Sequence, residues 1–191
     1  MTIEKNDITQ MLVEQALSGN QQASYKLYKL HVQAMYNTCF RIVDNKLDAE
    51  DILQESFASA FCNLEKFKGE VSFGAWLKQI VINKSINFVR NRKNWLVITD
   101  NLPETEDELD DIDVSEDNTI NNILPEMIFE AIKSLPEKAK IVFSLYLLEG
   151  YQHKDISRMM DISESTSKSQ YQRARKLLQD ILLNMIIKKT V

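Results

Sequence analysis

The densest set of side chains able to do chemistry is Asp48-Ala49-Glu50-Asp51-Ile52-Leu53-Gln54-Glu55-Ser56-Phe57, an acidic edge on an apolar ground. Carboxylates at that density hold a divalent cation, face solvent, or dock on a basic partner. No histidine accompanies them, and with only His31 and His153 in the chain no mixed ligand set forms, so no metal is expected. A second set is basic and aromatic. Lys66, Phe67 and Lys68 make a turn flanked by Phe73 and Trp76, ahead of a basic helix bearing Asn83, Asn87 and Arg90. Rings stack on bases and amides hydrogen-bond base edges, which suits a melted nucleic-acid strand; aromatics at helical spacing also serve as core. A third set, Ser165, Thr166, Lys168, Ser169, Gln170 and Arg173, opens a helix, with Arg175 and Lys176 extending its charge. Short donors there reach phosphates, and glutamine bonds adenine on two edges. No glycine-rich phosphate loop and no nucleophile beside a base occurs, and Cys39 and Cys62 stand apart. The chain is therefore not expected to be an enzyme, and no cofactor is implied.

The elements that must carry these groups are helices. Only 4 Gly and 3 Pro occur in 191 residues, too few for the many turns of a strand-rich domain. A short helix is expected from about Ile8 to Leu17, ended by Ser18-Gly19-Asn20. Ala23, Leu27, Leu30, Ala34, Met35, Thr38 and Ile42 form the inner stripe of a second helix. Asp48 is expected to cap a third, with Ala49, Ile52, Leu53, Phe57, Ala60, Phe61 and Leu64 inward. Ser72 caps a fourth, with Phe73, Trp76, Leu77, Ile80 and Val81 inward. Beyond the acidic middle, Met127, Ile128, Ala131, Ile132 and Leu135 mark one helix, and Ala139, Val142, Phe143 and Tyr146 a second that stops at Gly150. A helix over about 153–160, a turn at Asp161-Ile162-Ser163 and a helix over about 164–187 make a helix-turn-helix, braced by Ile156, Met160, Ile162, Tyr171 and Ala174. Ser157, Asp161 and Ser167 stand where an alanine, a glycine and a buried Val or Ile are usual in that motif.

The fold class read from these patterns is all-α: two small helical domains joined by an acidic flexible linker, the second ending in the helix-turn-helix. Domain boundaries are expected at 1–94, 95–122 and 123–191. The formal net charge of −5 hides this division. Residues 1–93 carry 12 Lys/Arg against 10 Asp/Glu, residues 94–132 carry 12 acids and no base, and residues 133–191 carry 11 bases against 6 acids. Two basic patches, Lys66 to Lys93 and Lys168 to Lys176, flank a polyanionic middle and are fit to meet phosphates. The charged N-terminus has no apolar core, and the stretch Ile181 to Ile187 is too short to span a bilayer, so a cytoplasmic protein without membrane contact is expected.

With both halves read, the chain resembles the extracytoplasmic-function (ECF, group 4) sigma factors of bacterial RNA polymerase, in the sigma-70 family. DAEDILQESF over Asp48 to Phe57 looks like the region 2 signature. Phe67-Lys68-Gly69, Phe73-Gly74-Ala75-Trp76-Leu77, Ile82-Asn83 and the basic Arg90-Asn91-Arg92-Lys93 follow in order. Leu135-Pro136-Glu137-Lys138, Leu148-Glu149-Gly150-Tyr151, Thr166-Ser167-Lys168-Ser169-Gln170 and Arg173-Ala174-Arg175-Lys176 resemble region 4.

The resemblance implies a transcription-initiation factor with core RNA polymerase and promoter DNA, double-stranded and melted, as partners. Asp48, Asp51, Gln54 and Glu55 would dock on the clamp coiled coil of the polymerase's largest subunit. Asn63, Lys66, Phe67, Lys68, Phe73 and Trp76 would surround a flipped base of the minus-ten element, with Asn83, Asn87 and Arg90 on its upstream edge. Ser165, Thr166, Lys168, Ser169, Gln170, Arg173 and Arg175 would read the minus-thirty-five element. It further implies a monomer when free, held by an anti-sigma factor. The competing reading is a stand-alone dimeric helix-turn-helix regulator, paired through Ile181, Leu182, Met185 and Ile186.

Overall fold

Why these residues form helices is visible at the joints between them. The computed structural model describes residues 2–92 and 125–190, and the acidic segment 95–122 lies outside the described residues. α1 (Thr2–Leu17) begins six residues earlier than its periodicity marks and ends where Gly19 takes φ 85°. Asn20 then caps α2 (Gln21–Val43), its side chain accepting from the backbone N–H of Gln22 and Ala23 at 3.0 and 3.2 Å. Asp44, left-handed at φ 55°, closes α2 through its N–H to the Phe40 carbonyl at 2.9 Å. α3 (Lys46–Cys62) is capped by Asn45 and not by Asp48. The Asn45 side chain accepts from Leu47 and Asp48 N–H at 2.9 and 3.2 Å, which leaves the Asp48 carboxylate inside the first turn and available to a distant cation. A 3₁₀ turn, Leu64–Lys66, leads to α4 (Phe73–Asn91), whose Ser72 cap accepts from Ala75 N–H at 3.2 Å.

In this first unit α2 packs against α1, α3 and α4. Its buried side is Leu27, Met35, Thr38, Cys39 and Ile42, which leaves Leu30 (59% exposed) and Ala34 outside the stripe expected for them. The three neighbours cover only one arc of the helix, and those two positions point away from it. Ala49, Ile52, Leu53, Phe57 and Ala60 of α3 and Phe73, Leu77, Val81, Ile82, Ile86 and Val89 of α4 complete the core. Ser85 donates to the Val81 carbonyl at 2.8 Å and its Oγ lies 3.2 Å from the Cys39 sulfur, so α4 meets α2 without an orphaned hydroxyl.

The second unit contains α5 (Pro125–Lys133), α6 (Glu137–Phe143), α7 (His153–Met160) and α8 (Glu164–Thr190). Leu135, Ala139 and Phe143 bury against Ala174, with Ile132, Tyr171, Leu177 and Leu178 around them. After Phe143 the backbone widens into a π-helical turn, Ser144–Leu148, closed by Glu149 N–H to the Ser144 carbonyl at 3.1 Å. The wider turn shifts the helical phase, which places Tyr146 at the surface and not on the inner stripe expected for it. Ile128 is likewise exposed. Ile181, Leu182, Met185 and Ile186 of α8 are half-buried within the unit, where α8 packs on α5.

Replacing Asn45 by Ala removes the acceptor for two α3 amides, and the first unit is expected to lose about 1 kcal/mol in urea unfolding, whereas Asp48→Ala is not expected to show a capping loss.

Candidate nucleic-acid interface

The solvent side of α3 keeps three of its four expected docking residues in the open. Asp51, Gln54 and Glu55 are exposed. Asp48 is committed elsewhere: its Oδ2 lies 2.6 Å from Nη2 of Arg92, so it ties the start of α3 to the end of α4. Arg92 also lies over the Phe88 ring at 4.8 Å. Glu55 approaches Lys84 Nζ at 3.7 Å with its carboxylate still largely in water, where such a pair contributes little. One apolar group stands among these carboxylates, Leu47, 72% exposed. Leu47, Asp51 and Gln54 follow at i, i+4 and i+7, one helix face with an apolar head and a polar body. That spacing was present in the sequence but was hidden by the acidic run that follows it.

At the opposite end of α3, Asn63 donates through Nδ2 to the Ser59 carbonyl at 2.8 Å and accepts from Lys66 Nζ at 2.7 Å. Lys66 and Lys68 are exposed. Phe67 and Trp76 are half-buried with ring centroids 5.4 Å apart. Phe73 is only 2% exposed and departs from the expectation that it faces a strand. Its ring meets Phe67 and Trp76 at 5.8 Å each and His31 at 5.4 Å, so it forms the floor on which the two accessible rings rest. Gly74 permits this close fit, because a Cβ there would stand 3.0 Å from His31 Cε1. Burial holds His31 below the ordinary imidazole pKa, which keeps that floor uncharged. Beside the turn, Thr9 and Gln10 of α1 face Gly69 to Phe73 across an open cavity of about 300 Å³. This α1 wall left no local sequence signal, because it forms only when α1 folds back on the turn. Asn83 and Asn87 are exposed on α4 one turn apart, Asn83 accepting from Gln79 at 3.0 Å, and Arg90 is half-exposed on the next turn.

In the second unit the turn between α7 and α8 is held by Asp161, left-handed at φ 55°, where a glycine was the expected residue. Ser163 caps α8: its Oγ accepts from Thr166 N–H at 2.9 Å and lies 2.7 Å from the hydroxyls of Ser165 and Thr166. Ser165, Lys168, Ser169, Arg173 and Arg175 are exposed, and Thr166 and Gln170 are half-buried. Lys168 Nζ is 2.9 Å from Glu164, and this hydrogen bond, more than the charge itself, draws the Glu164 carboxyl below its ordinary pKa. With Ser167 and Ala174 fully buried, helical phasing centres the outer face on Ser165, Ser169, Gln172 and Lys176. Gln172 was missed, although counting from the inward Ala174 would have found it. Among the described residues no three His, Cys, Asp or Glu side chains converge to hold a metal ion.

Two family models match the chain: Sigma-70 region 2 over residues 27–94 and Sigma-70 region 4 over residues 126–178. An ECF RNA polymerase sigma-E factor of Haemophilus influenzae is 30% identical over 177 residues, covering 90% of this chain and 93% of that protein. The ECF RNA polymerase sigma-E factor of Escherichia coli K12 is 28% identical over 184 residues, with 90% and 92% covered. Two solved structures share the fold. One is CnrH in complex with the cytosolic domain of CnrY, at TM-score 0.53 and 22% identity over 92% of this chain and 97% of that one. The other is the sigma factor RpoE with the anti-sigma factor NepR from Bartonella quintana, at TM-score 0.52 and 20% identity over 83% and 95%.

The different stations of the aromatic and basic side chains separate by stability. Phe73→Ala is expected to lower the unfolding free energy of the first unit by about 3–5 kcal/mol, and Lys66→Ala by less than about 0.5, in urea titrations followed by circular dichroism.

Proposed function

The chain belongs to the extracytoplasmic-function sigma factors of bacterial RNA polymerase, and from that premise we propose how its residues divide the work. It directs core polymerase to specific promoters and assists their melting. We assign residues 1–94 to polymerase docking and the minus-ten element, 123–191 to the minus-thirty-five element, and the acidic 95–122 to the connection between them. The observation that carries this division is that the two matched segments coincide with two separately packed helical units, each with an unburied face of the chemistry its half requires.

On α3, Asp51, Gln54, Glu55 and the apolar Leu47 form the docking face. Its carboxylates steer encounter with a basic partner, and a buried apolar contact slows release. Asp48 acts there through Arg92, as a brace for the helix that follows. At the turn, Phe67 and Trp76 take up an unstacked base on the floor made by Phe73, while Asn63, Lys66 and Lys68 line its rim. Stacking a base on an aromatic ring is worth roughly 1–3 kcal/mol, comparable to the few kcal/mol that unstacking costs, so a melted promoter is trapped without nucleotide hydrolysis. Asn83, Asn87 and Arg90 continue along the upstream edge. In the second unit Ser165, Thr166, Lys168 and Ser169 at the start of α8 meet phosphates and base edges, with Gln170, Gln172, Arg173, Arg175 and Lys176 behind them. The role requires no catalytic residue of its own, because the polymerase performs the chemistry, and it places the protein in the cytoplasm with that polymerase. An anti-sigma partner is part of the reading: the fold is shared with a sigma factor solved with its anti-sigma factor, and the chain is taken as a monomer when free.

The test is run-off transcription by purified core RNA polymerase on fragmented host DNA. The wild-type chain is expected to produce new transcripts from discrete start sites, and Gln54→Ala/Glu55→Ala to reduce them by at least about tenfold, the scale set by removing two interface contacts. Absence of new transcripts, with direct duplex binding by a dimer of the chain, overturns the reading in favour of a stand-alone regulator.

A further inference from the structure

The helix-turn-helix contains a part-buried polar contact that phosphate and base recognition leave unused. Ser167 is 0% exposed in the first turns of α8, and its Oγ lies 2.9 Å from Nδ1 of His153, the first residue of α7. Here α7 packs on α8, and Ile156, Met160 and Ala174 are as fully buried as Ser167. The Ser167 hydroxyl left without a partner in such a layer would be destabilising, and the half-buried His153 at its edge supplies that partner. The imidazole is fixed on its other sides. Tyr146 stacks on it with centroids 4.4 Å apart and planes 12° from parallel, and Tyr171, one turn after Ser167, meets it at 5.8 Å. Burial foremost, and then the charge of Lys168, holds His153 below the ordinary imidazole pKa against the opposing pull of Glu164, so the ring is neutral near pH 7. A hydrogen bond of this kind differs from an apolar contact in one respect: it has a narrow range of distance and direction. It therefore fixes the rotation and height of the first turn of α8 against the first turn of α7, where an aliphatic side chain would tolerate sliding.

Ser167 lies between Thr166 and Lys168, both assigned above to the minus-thirty-five element. We propose that the His153–Ser167 hydrogen bond is the positioning contact for the reading helix, acting on promoter recognition through Thr166, Lys168 and Ser169 without either residue touching DNA. The proposal rests on the assignment of α8 to that element.

Its test uses holoenzyme assembled from core RNA polymerase and the full chain. The probe is a duplex fragment carrying one start site mapped by the run-off experiment, compared with the same fragment whose upstream thirty-five sequence is scrambled. The variants are His153→Phe, which keeps the stacking on Tyr146, Ser167→Val, and the two together. Each single variant is expected to raise the DNA concentration for half-maximal run-off about tenfold on the intact fragment and to leave the scrambled fragment unchanged. The double variant, which replaces the polar pair by an apolar one, is expected to recover to within about threefold of wild type, a coupling of the size seen for residues in direct contact. Three results overturn the proposal: single variants equal to wild type, equal losses on both fragments with a fall in helix content, or a double variant no better than the worse single. A wild-type chain that maps no start site, or whose start sites ignore the scrambling, overturns instead the assignment on which the proposal rests.

Discussion

Every helix here returns a side chain to the same direction each third or fourth position, so each can give only part of its circumference to a core. How much it gives decides what the helix can do. α2 packs one arc against α1, α3 and α4, with Leu27, Cys39 and Ile42 almost wholly removed from water, and the arc it leaves exposed holds no group expected to meet a partner. α3 and α4 each give one stripe to α2 and to each other and keep the opposite arc wet. The same arrangement returns in α8, which commits Ser167, Tyr171, Ala174 and Leu178 inward and presents the arc around Ser169 and Gln172. The faces proposed for docking and reading are thus the uncovered remainder of helices whose positions are set by their buried sides.

The joints between helices make that division stable. Asn20, Asn45, Ser72 and Ser163 each accept from amides of the first turn that follows, and so satisfy donors that would otherwise lack partners at four helix starts. The Asp48–Arg92 pair is a different kind of joint. It connects the beginning of α3, which carries the proposed docking face, to the end of α4, which carries Trp76 of the proposed stacking pair. The partly shielded geometry at 2.6 Å makes this bond charge-assisted and short, unlike the open Glu55–Lys84 pair at 3.7 Å.

Much of this was legible in the amino-acid sequence, and the exceptions have physical reasons. The apolar stripe Ala49, Ile52, Leu53, Phe57 and Ala60 and the Ser72 cap follow from spacing and side-chain chemistry alone. Asn45 and Asp48 are equally good caps by residue type, and only the extended backbone at Asn45, φ −141° and ψ 131°, distinguishes them. Phe67, Phe73 and Trp76 are alike in pattern, but the floor of the cluster is decided by His31, a residue of another helix that no local window contains. Tyr146 kept its helical period in the sequence and lost it to a π turn. The partner of Ser167 lies 14 residues away on a different helix, so the unusual serine was readable and its explanation was not.

The turn that joins α7 to α8 uses an aspartate in a left-handed conformation that glycine adopts more freely. An aspartate samples fewer backbone states than glycine when the chain is unfolded, so less freedom is lost when the turn forms. The Ser163 cap and the buried serine on the next turn add fixed hydrogen bonds to the same stretch. In the role proposed above, the two helices would meet DNA as one preformed body, with little ordering left to occur at the moment of contact. If that role holds, a new promoter preference would evolve at side chains of the exposed arc, because the connection behind them is already committed to these hydrogen bonds.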